Sequence, residues 1–357
     1  MKNLRKLDQN WIKKFKKPFI IAGPCSAESE DQILKTIKDL DKSYISMFRA
    51  GIWKPRTRPG AFEGIGEIGL QWLKKLKKLY NIPVATEIAN ANHAKLALEY
   101  DIDCLWIGAR STVNPFTVQE IAESINNTEK IVLVKNPVNP DLDLWIGALE
   151  RLLSQGVKNI GVIHRGFSVY NKSNYRNNPE WDIILKFRDQ YPNIPIITDP
   201  SHICGNRNGI FNIAKQALNY DFSGLMIETH YDPDNALSDS FQQVTPNNLL
   251  KILKKLEKEI NYQNKELIFK SKLNLFRNQI DNLDQQILNI IFNRFKIAKS
   301  IGKLKKDNNV DILQSKRWNE ILQDIKIQSA KLNLREDFIE KLFLIIHMES
   351  IEIQDQI

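Results

Sequence analysis

The sequence predicts a (β/α)8 TIM barrel followed by an all-α domain of three helices. Eight short apolar runs recur through roughly the first 230 residues, and segments with helical periodicity separate most of them. The runs are continuously apolar, which is typical of parallel strands covered on both faces. Beyond about residue 250 only helical patterns follow. We therefore predict a barrel domain at 1–262 and a helical domain at 263–357.

Each strand of the predicted barrel corresponds to one apolar run. The runs are 19–22, 46–48, 82–85, 104–107, 131–134, 160–163, 194–198 and 224–227. Helical segments between and after them include 65–79, 93–100, 144–155, 210–219 and 249–259. Eight such units in ~250 residues match a closed barrel, and an open doubly wound sheet is the alternative.

The three helices of the second domain follow a polar segment at 261–272 that has no Gly or Pro. A long helix is predicted over 273–306, and an Asp307-Asn308-Asn309 turn ends it. Two further helices are predicted over 315–330 and from Arg335 to near the last residue.

Composition and charge exclude several classes of protein. The chain has 51 Lys and Arg residues against 42 Asp and Glu, but the basic residues form no dominant block, so no nucleic-acid partner is predicted. No stretch approaches the roughly 18 apolar residues of a membrane span. The cysteines Cys25, Cys104 and Cys204 are odd in number and far apart, which indicates free thiols in a reducing compartment. We expect a cytoplasmic protein.

A candidate metal site lies where the first and last predicted strands meet. All strand C-termini of a parallel barrel open on one face, where barrel enzymes have their active sites. Strands one, seven and eight are neighbours in the ring, and they or the following loops carry Cys25, His202, Glu228 and Asp239. One thiolate, one imidazole and two carboxylates suit a divalent ion such as Mn²⁺, Fe²⁺, Co²⁺ or Zn²⁺. The other two cysteines are predicted to be packing residues.

Basic residues follow most of the remaining strands. They are Arg49, Lys54, Arg110, Lys135 and Arg165, with Arg56 and Arg58 just outside. We call the opening at the C-terminal ends of the strands the mouth of the barrel. Burying cations in an enclosed mouth costs free energy unless an anion neutralises them, so a phosphate or carboxylate ligand is predicted. A metal ion beside such a pocket indicates a phosphorylated substrate and a carbonyl electrophile that the ion activates.

These strand-end motifs resemble the signature blocks of 3-deoxy-D-arabino-heptulosonate 7-phosphate (DAHP) synthase, in the variety shared with 3-deoxy-octulosonate 8-phosphate synthase. The blocks, within roughly residues 15–255, are Gly23-Pro24-Cys25-Ser26, Arg49 with Lys54-Pro55-Arg56-Thr57, Gly108-Ala109-Arg110, Asp199-Pro200-Ser201-His202 and Ala236-Leu237-Ser238-Asp239. The resemblance implies condensation of phosphoenolpyruvate with erythrose 4-phosphate at the start of aromatic biosynthesis.

The resemblance also implies residue roles. The implied ligands of the ion, with Mn²⁺ as the first candidate, are Cys25, His202, Glu228 and Asp239. The implied phosphoenolpyruvate ligands are Arg49, Lys54, Arg110, Lys135 and Arg165. Arg56 and Thr57 would bind the sugar phosphate, because the Lys-Pro-Arg-Thr block separates this activity from that of the octulosonate enzyme. Lys54 is the candidate proton donor to the nascent alkoxide, with a metal-bound water as the alternative.

The long C-terminal helix carries cations on its predicted apolar seam. One row of the seam is Ile280, Ile287, Arg294 and Ile301, and the companion row is Arg277, Asp284, Ile291, Ala298 and Lys305. Arg294 and Lys305 are eleven residues apart, close to three turns, so they share one face. This placement favours an anion site over a pure dimerisation module.

The second domain resembles the all-helical chorismate mutase family across residues 270–357. The matching segments are 275–281, 283–284, 293–294, 301–305, Arg317, 344–346 and 350–354. The resemblance implies rearrangement of chorismate to prephenate. The implied catalytic residues are Arg277, Arg294, Lys305 and Gln354, and the supporting residues are Arg317 and Ser350. In the family the first arginine comes from the partner chain, so Arg277 implies an intertwined homodimer.

Two positions depart from the mutase family. Trp318 stands where many members have a Glu that binds the substrate hydroxyl, and Gln314 stands where an acidic residue is common. Two interpretations remain open. The chain is either a bifunctional synthase and mutase, or a synthase whose weakly active tail senses chorismate or prephenate and dimerises.

Overall fold

The computed structural model describes residues 2–54, 60–170, 174–260 and 265–356. The chain divides into two compact units, Met1–Gln263 and Asn264–Ile357. Among the residues described, no helix combines the length and the apolar character that crossing a lipid bilayer requires.

Eight parallel strands form a closed barrel in the first unit, in chain order around the ring. They are β1 (Phe19–Gly23), β2 (Met47–Arg49), β3 (Val84–Ile88), β4 (Cys104–Ile107), β5 (Ile131–Lys135), β6 (Ile160–His164), β7 (Ile196–Thr198) and β8 (Gly224–Glu228). The ring closes where β1 pairs with β8, with Gly23 opposite Glu228. The predicted TIM barrel is confirmed, and the alternative of an open sheet is wrong.

Helices surround the strands of the barrel. They are α1 (Lys2–Arg5), α2 (Glu30–Asp39), α3 (Ile68–Tyr80), α4 (Ala91–Glu99), α5 (Ala109–Thr112), α6 (Pro115–Ser124), α7 (Leu142–Ser154), α8 (Trp181–Gln190), α9 (Pro200–Cys204), α10 (Ile210–Asn219) and α11 (Pro246–Ile260). Polar side chains fix several helix starts. Ser29 accepts a hydrogen bond from the Gln32 amide at the start of α2, and Asp141 accepts one from the Leu144 amide at α7.

Several strands change from apolar to polar at their C-terminal end. The interior is filled by side chains that include Phe19, Ile21, Met47, Trp106, Leu133, Ile163, Ile197 and Met226. The last residues of β2, β5, β6 and β8 are Arg49, Lys135, His164 and Glu228, and all four are buried. Buried charges at this end need partners, so the strand ends themselves locate the candidate site.

Three helices form the second unit: α12 (Lys265–Asp307), α13 (Ser315–Lys331) and α14 (Glu336–Asp355). The predicted three-helix architecture is confirmed. The helix α12 begins eight residues earlier than predicted, because the polar segment before it contains good helix formers such as Lys, Glu and Leu. Part of its seam packs on α14, where Ala298 is buried. Ile280 and Ile287 are 56% and 53% exposed.

Candidate active sites

Three of the four predicted metal ligands come together at the C-terminal mouth of the barrel. Single ligand atoms of Cys25, Glu228 and Asp239 all lie within 4.8 Å of one another. Cys25 follows β1 and Glu228 ends β8, the two strands that close the ring, and Asp239 lies on the loop after β8. Oδ2 of Asp239 is 3.4 Å from Sγ of Cys25.

The surroundings of Cys25 control the charge of its thiol. Burial, followed by the charge of Glu228, raises the pKa of Cys25 to about 12. Lys54 opposes this rise, since its Nζ lies 3.1 Å from Sγ. The thiol is therefore protonated near neutral pH unless a divalent cation takes the place of the proton.

His202 lies beside the Cys25–Glu228–Asp239 group. Its Nδ1 is 2.8 Å from Oδ2 of Asp199 and 3.8 Å from Oε1 of Glu228. Burial alone would raise the pKa of Asp199, but His202 and Lys135 lower it well below its usual value. A carboxylate at one imidazole nitrogen orients the ring and leaves the other nitrogen for coordination, as behind many metal-bound histidines.

A buried ion pair connects this group to the cations of the mouth. Nη2 of Arg49 lies 3.3 Å from Oε1 of Glu228, and both side chains are almost fully buried. Gln242 donates a hydrogen bond of 2.7 Å to the other carboxylate oxygen. Nε and Nη1 of Arg49 have no hydrogen-bond partner within the described ranges. Because unpartnered buried guanidinium nitrogens are costly, Arg49 indicates a place for an anionic ligand.

Lys135 adds a second buried cation at the mouth. Its Nζ lies 3.3 Å from Oδ2 of Asp199. Lys135 and Arg49 also approach the ring of Trp106, at 5.9 Å and 4.8 Å from its centroid. The indole therefore faces two cations in a dry environment, where such contacts are strongest.

The remaining predicted cations lie further out. Nη1 of Arg165 donates to Oδ1 of Asn177 at 2.8 Å, and burial lowers the pKa of Arg165 to about 10, so its guanidinium stays charged at neutral pH. Arg110 is exposed on α5, and its charge reaches Arg165. Four predicted cations thus surround the mouth and Arg110 lies at its rim. The predicted residues Arg56 and Thr57, with Arg58, lie outside the described residues.

Two charged residues of the mouth were not among the predicted site residues. Oε2 of Glu87 accepts a hydrogen bond from the Trp106 indole at 2.9 Å, and burial alone would raise its pKa, but Lys135 and Lys54 lower it. Nη1 of Arg176 donates to Oδ1 of Asp239 at 3.0 Å. Glu87 lies in an apolar strand and carried a usable signal. Arg176 lies in a loop without a pattern and carried none.

A second polar cluster lies between α12 and α14. Nη1 of Arg294 donates to Oγ of Ser350 and, at 3.3 Å, to the carbonyl oxygen of Ile346. Nε2 of Gln354 donates to the carbonyl oxygen of Ser350 at 2.9 Å, and its buried Oε1 accepts no hydrogen bond from the part of the chain described. Nζ of Lys305 donates to the backbone at 2.6 Å. Arg294, Ser350 and Gln354 therefore share this inter-helix region, and the charge of Lys305 reaches it at His347 on α14.

The other two predicted mutase residues lie outside this cluster. Arg277 is exposed on α12. Arg317 is exposed on α13 and pairs with Glu320 at 3.1 Å. Trp318, the next residue, stacks on His347 with ring centroids 4.0 Å apart and ring planes inclined by 6°. His347 was not predicted as a site residue, although its seven-residue spacing from Gln354 placed it on the same helix face.

Comparison with family profiles identifies both units. Residues 9–264 match the DAHP synthetase I family, and residues 276–355 match chorismate mutase type II. The chain belongs to the DAHP synthetase I family. It therefore carries a DAHP synthase domain and a chorismate mutase domain, and both resemblances seen in the sequence are confirmed.

The relatives of the DAHP synthase domain have the names of two related aldolases. A phospho-2-dehydro-3-deoxyheptonate aldolase of Thermotoga maritima is 32% identical over 225 residues, which is 63% of this chain and 64% of that protein. A 2-dehydro-3-deoxyphosphooctonate aldolase of Rickettsia bellii is 29% identical over 265 residues, 68% of this chain and 91% of that protein. The alignment thus spans a little under two thirds of the Thermotoga protein.

A solved structure agrees with the barrel of the DAHP synthase domain. The crystal structure of the DAHP synthase from Thermotoga maritima has a TM-score of 0.62 and 28% identity, and the match covers 68% of this chain and 69% of that one. A truncated form of the same enzyme has a TM-score of 0.60 and 26% identity, with 68% and 86% covered. The names of these relatives leave the sugar acceptor of this chain as the main question.

Proposed function

We propose that residues 1–262 condense phosphoenolpyruvate with erythrose 4-phosphate and water to give DAHP and inorganic phosphate, the first step of the shikimate pathway. The observation that carries this proposal is a three-residue metal-ligand group beside a buried and a half-buried cation. The group is Cys25, Glu228 and Asp239, and the nearest cations are Arg49 and Lys54. An anion pocket next to a Lewis-acid site suits a phosphorylated enol and an aldehyde.

The side chains at the mouth fit a divalent ion, with Mn²⁺ as the first candidate and Fe²⁺, Co²⁺ or Zn²⁺ as alternatives. The proposed ligands are Cys25, His202, Glu228 and Asp239. Sulfur, imidazole and carboxylate donors suit these ions better than Ca²⁺. The buried Oε1 of Glu228 is ion-paired with Arg49 but accepts no hydrogen bond from the described residues, so it keeps the capacity to coordinate a metal ion. When bound, such an ion polarises the aldehyde oxygen of the acceptor.

Cations of the mouth would bind the carboxylate and phosphate of phosphoenolpyruvate. The proposed ligands are Arg49, Lys54, Arg110, Lys135 and Arg165. Arg49 offers two unpartnered nitrogens, and Lys135 adds a compact charge over the same Trp106 ring. Holding the two substrates together with C3 of the enol next to the aldehyde carbon lowers the entropic part of the barrier. Arg56 and Thr57 remain the proposed ligands of the sugar phosphate.

Lys54 is the proposed proton donor to the alkoxide that forms on the sugar. Burial alone would lower the pKa of Lys54, but Cys25 and Glu87 raise it above its usual value. The ammonium group is therefore protonated before reaction, as a general acid must be. Its Nζ lies 3.1 Å from Sγ of Cys25, so a proton would be delivered beside the proposed ion.

The test follows phosphoenolpyruvate consumption with erythrose 4-phosphate or arabinose 5-phosphate, with and without a chelator. We expect turnover of the four-carbon sugar that the chelator abolishes and added Mn²⁺ restores. Preference for the five-carbon sugar would overturn the choice of acceptor. Turnover that resists exhaustive chelation would overturn the metal proposal.

We further propose that residues 263–357 rearrange chorismate to prephenate. The reaction needs a pocket that holds a compact dianion and stabilises charge at the ether oxygen. The proposed residues are Arg294, Lys305, Gln354 and Ser350 from one chain, with Arg277 from a partner chain and Arg317 in support. Arg294 and Lys305 supply positive charge, and the unpartnered Oε1 of Gln354 supports a polar ligand nearby.

A homodimer is part of this proposal. Ile280 and Ile287 lie on the same seam as Arg294 but are more than half exposed. Apolar seam residues that continue past their packed segment are typical of a helix completed by a second copy. We also propose that the enzyme works in a reducing compartment such as the cytoplasm, since all three cysteines are free thiols.

The alternative function for the second unit is a sensor of chorismate or prephenate. Trp318 favours it, because an indole replaces the carboxylate common in the mutase family. Chorismate consumption by the full chain separates the two proposals. Chelator-resistant turnover would support the mutase, whereas prephenate binding without turnover would support the sensor.

A further inference from the structure

The helical unit holds an imidazole that the proposed roles do not use. His347 lies on α14 three residues before Ser350 and seven before Gln354, so the three side chains share one helix face. The carbonyl of the preceding residue, Ile346, accepts a hydrogen bond from Arg294 at 3.3 Å. His347 therefore borders the cationic cluster between α12 and α14.

Two polar atoms on this face are buried without partners. Nε2 of His347 and Oε1 of Gln354 make no hydrogen bond to any residue in the described part of the chain. A buried polar atom without a partner destabilises the folded chain, because it has lost its hydrogen bonds to water and gained none in return. Two such atoms on one face, beside Arg294 and Lys305, indicate a polar ligand that satisfies them when it binds.

Trp318 fixes the plane of the imidazole ring. The indole comes from α13 and stacks on His347 at 4.0 Å between centroids, with the planes inclined by only 6°. Because the two rings belong to different helices, the stack holds Nε2 in one direction before a ligand arrives. Such preorganisation reduces the entropy lost on binding.

The imidazole is neutral at neutral pH. Burial, followed by the charges of Arg294 and Lys305, lowers the pKa of His347 below its ordinary value. A neutral imidazole nitrogen donates in one tautomer and accepts in the other. A ligand hydroxyl can hydrogen-bond Nε2 in either tautomer, because a hydroxyl both donates and accepts. A carboxylate only accepts, and the neighbouring cations attract it instead.

We propose that Nε2 of His347 hydrogen-bonds the ring hydroxyl of chorismate, and that Trp318 is the residue that positions the imidazole for this contact. The inference rests on the mutase function proposed above and adds a substrate-binding residue to it. Chorismate has two carboxylates, an ether oxygen and one hydroxyl, so the neutral His347 complements the one group that the cations do not address.

The test uses the full chain and two substrates, chorismate and an analogue whose ring hydroxyl is replaced by hydrogen. His347→Leu is expected to lower kcat/KM for chorismate about tenfold, the value of one neutral hydrogen bond, mainly through KM. The same variant should convert the analogue as fast as the wild type does. His347→Gln, which keeps a hydrogen-bonding group, should recover part of the loss.

Controls separate binding from damage to the fold. Glu349→Gln changes an exposed residue of the same helix and should leave both substrates unaffected. Trp318→Leu alone should lower kcat/KM for chorismate. Added to His347→Leu it should cause no further loss, because a positioning residue acts only through the residue that it positions. Equal losses for both substrates in His347→Leu, or no loss for chorismate, would overturn the inference.

The failure of the mutase proposal has a different signature. If the wild type neither converts nor binds chorismate in calorimetry, both proposals fail together. If the wild type binds chorismate without turnover, Kd replaces kcat/KM as the measured quantity. The wild type and His347→Leu are then compared by their Kd values for chorismate and for the analogue. A wild type that converts chorismate while His347→Leu behaves identically overturns only the role of His347.

Discussion

His164 is a residue whose charge is decided by burial. It ends β6, its Nε2 lies 2.6 Å from the carbonyl oxygen of Pro179, and the rings of Phe167 and Trp181 lie next to it. Burial lowers the pKa of His164 to about 4, and the contact with Pro179 offsets only part of this. The imidazole is therefore neutral in the folded barrel near neutral pH.

We predict that His164 makes the barrel sensitive to acid. Between its unfolded pKa of 6.5 and its folded value of about 4, the unfolded chain binds a proton that the folded chain does not. The free energy of unfolding therefore falls as the pH falls through this window, by about 3 kcal/mol in total. In denaturant titrations, His164→Gln should lose less stability than the wild type over the same range. Parallel pH profiles for the two proteins would contradict this.

The cysteines offer a matched test of the metal ligands. Cys25→Ser is expected to lower the affinity for the divalent ion by about 100-fold or more, because it removes a coordinating sulfur. Cys104→Ser changes an equally buried thiol in β4 that is no part of the ligand group, so it should cost stability and keep the ion. Metal content after dialysis measures both. Equal metal loss in the two variants would argue against Cys25 as a ligand.

At the scale of an element, the junction of β4 and α5 shows how tightly the mouth is packed. A Cβ on Gly108 would lie 2.3 Å from Oε1 of Glu87, whose other oxygen is held by Trp106. The φ of Gly108 is −68°, so the backbone itself accepts alanine. Only the side-chain clash is therefore at stake.

We predict that Gly108→Ala displaces Glu87 and lowers synthase kcat/KM at least tenfold, a loss of about 1.4 kcal/mol in transition-state binding. Gly147→Ala is the control, since nothing lies within 4 Å of its Cβ on α7. It should gain about 0.5–1 kcal/mol of stability and leave the activity unchanged. Full activity in Gly108→Ala would show that Glu87 can move without consequence.

The strand ends also show what a single sequence can predict. Apolar runs located all eight strands, yet β5, β6 and β8 each continue one residue further, into Lys135, His164 and Glu228. Because these residues are polar, the apolar pattern ended one residue too early. The same polar residues indicated which end of the barrel holds the candidate site. The stack of Trp318 on His347 could not be predicted, because it depends on how two helices separated in sequence pack together.

At the scale of the whole molecule, the proposed dimer connects the exposed seam of α12 to function. Ile287 is seven residues from Arg294, so both lie on one face, yet Ile287 is 53% exposed. Burying such apolar surface against a second copy would stabilise the assembly by about 25 cal/mol per Å². The same contact would bring Arg277 of one chain towards the cluster of the other.

We therefore predict that Ile287→Glu produces monomers that lose mutase activity and keep synthase activity. A charge on the seam opposes burial against a partner, whereas the synthase ligands lie on the barrel. Lys296→Glu is the control. Lys296 follows Ile287 by nine residues, which is about two and a half helical turns, so it lies on the opposite side of α12. Sedimentation velocity gives the assembly state and parallel assays give both activities. Because dimerisation follows mass action, the lost mutase activity should return at high protein concentration. If Ile287→Glu is shown to be a dimer and still lacks mutase activity, local damage rather than loss of the dimer explains the defect.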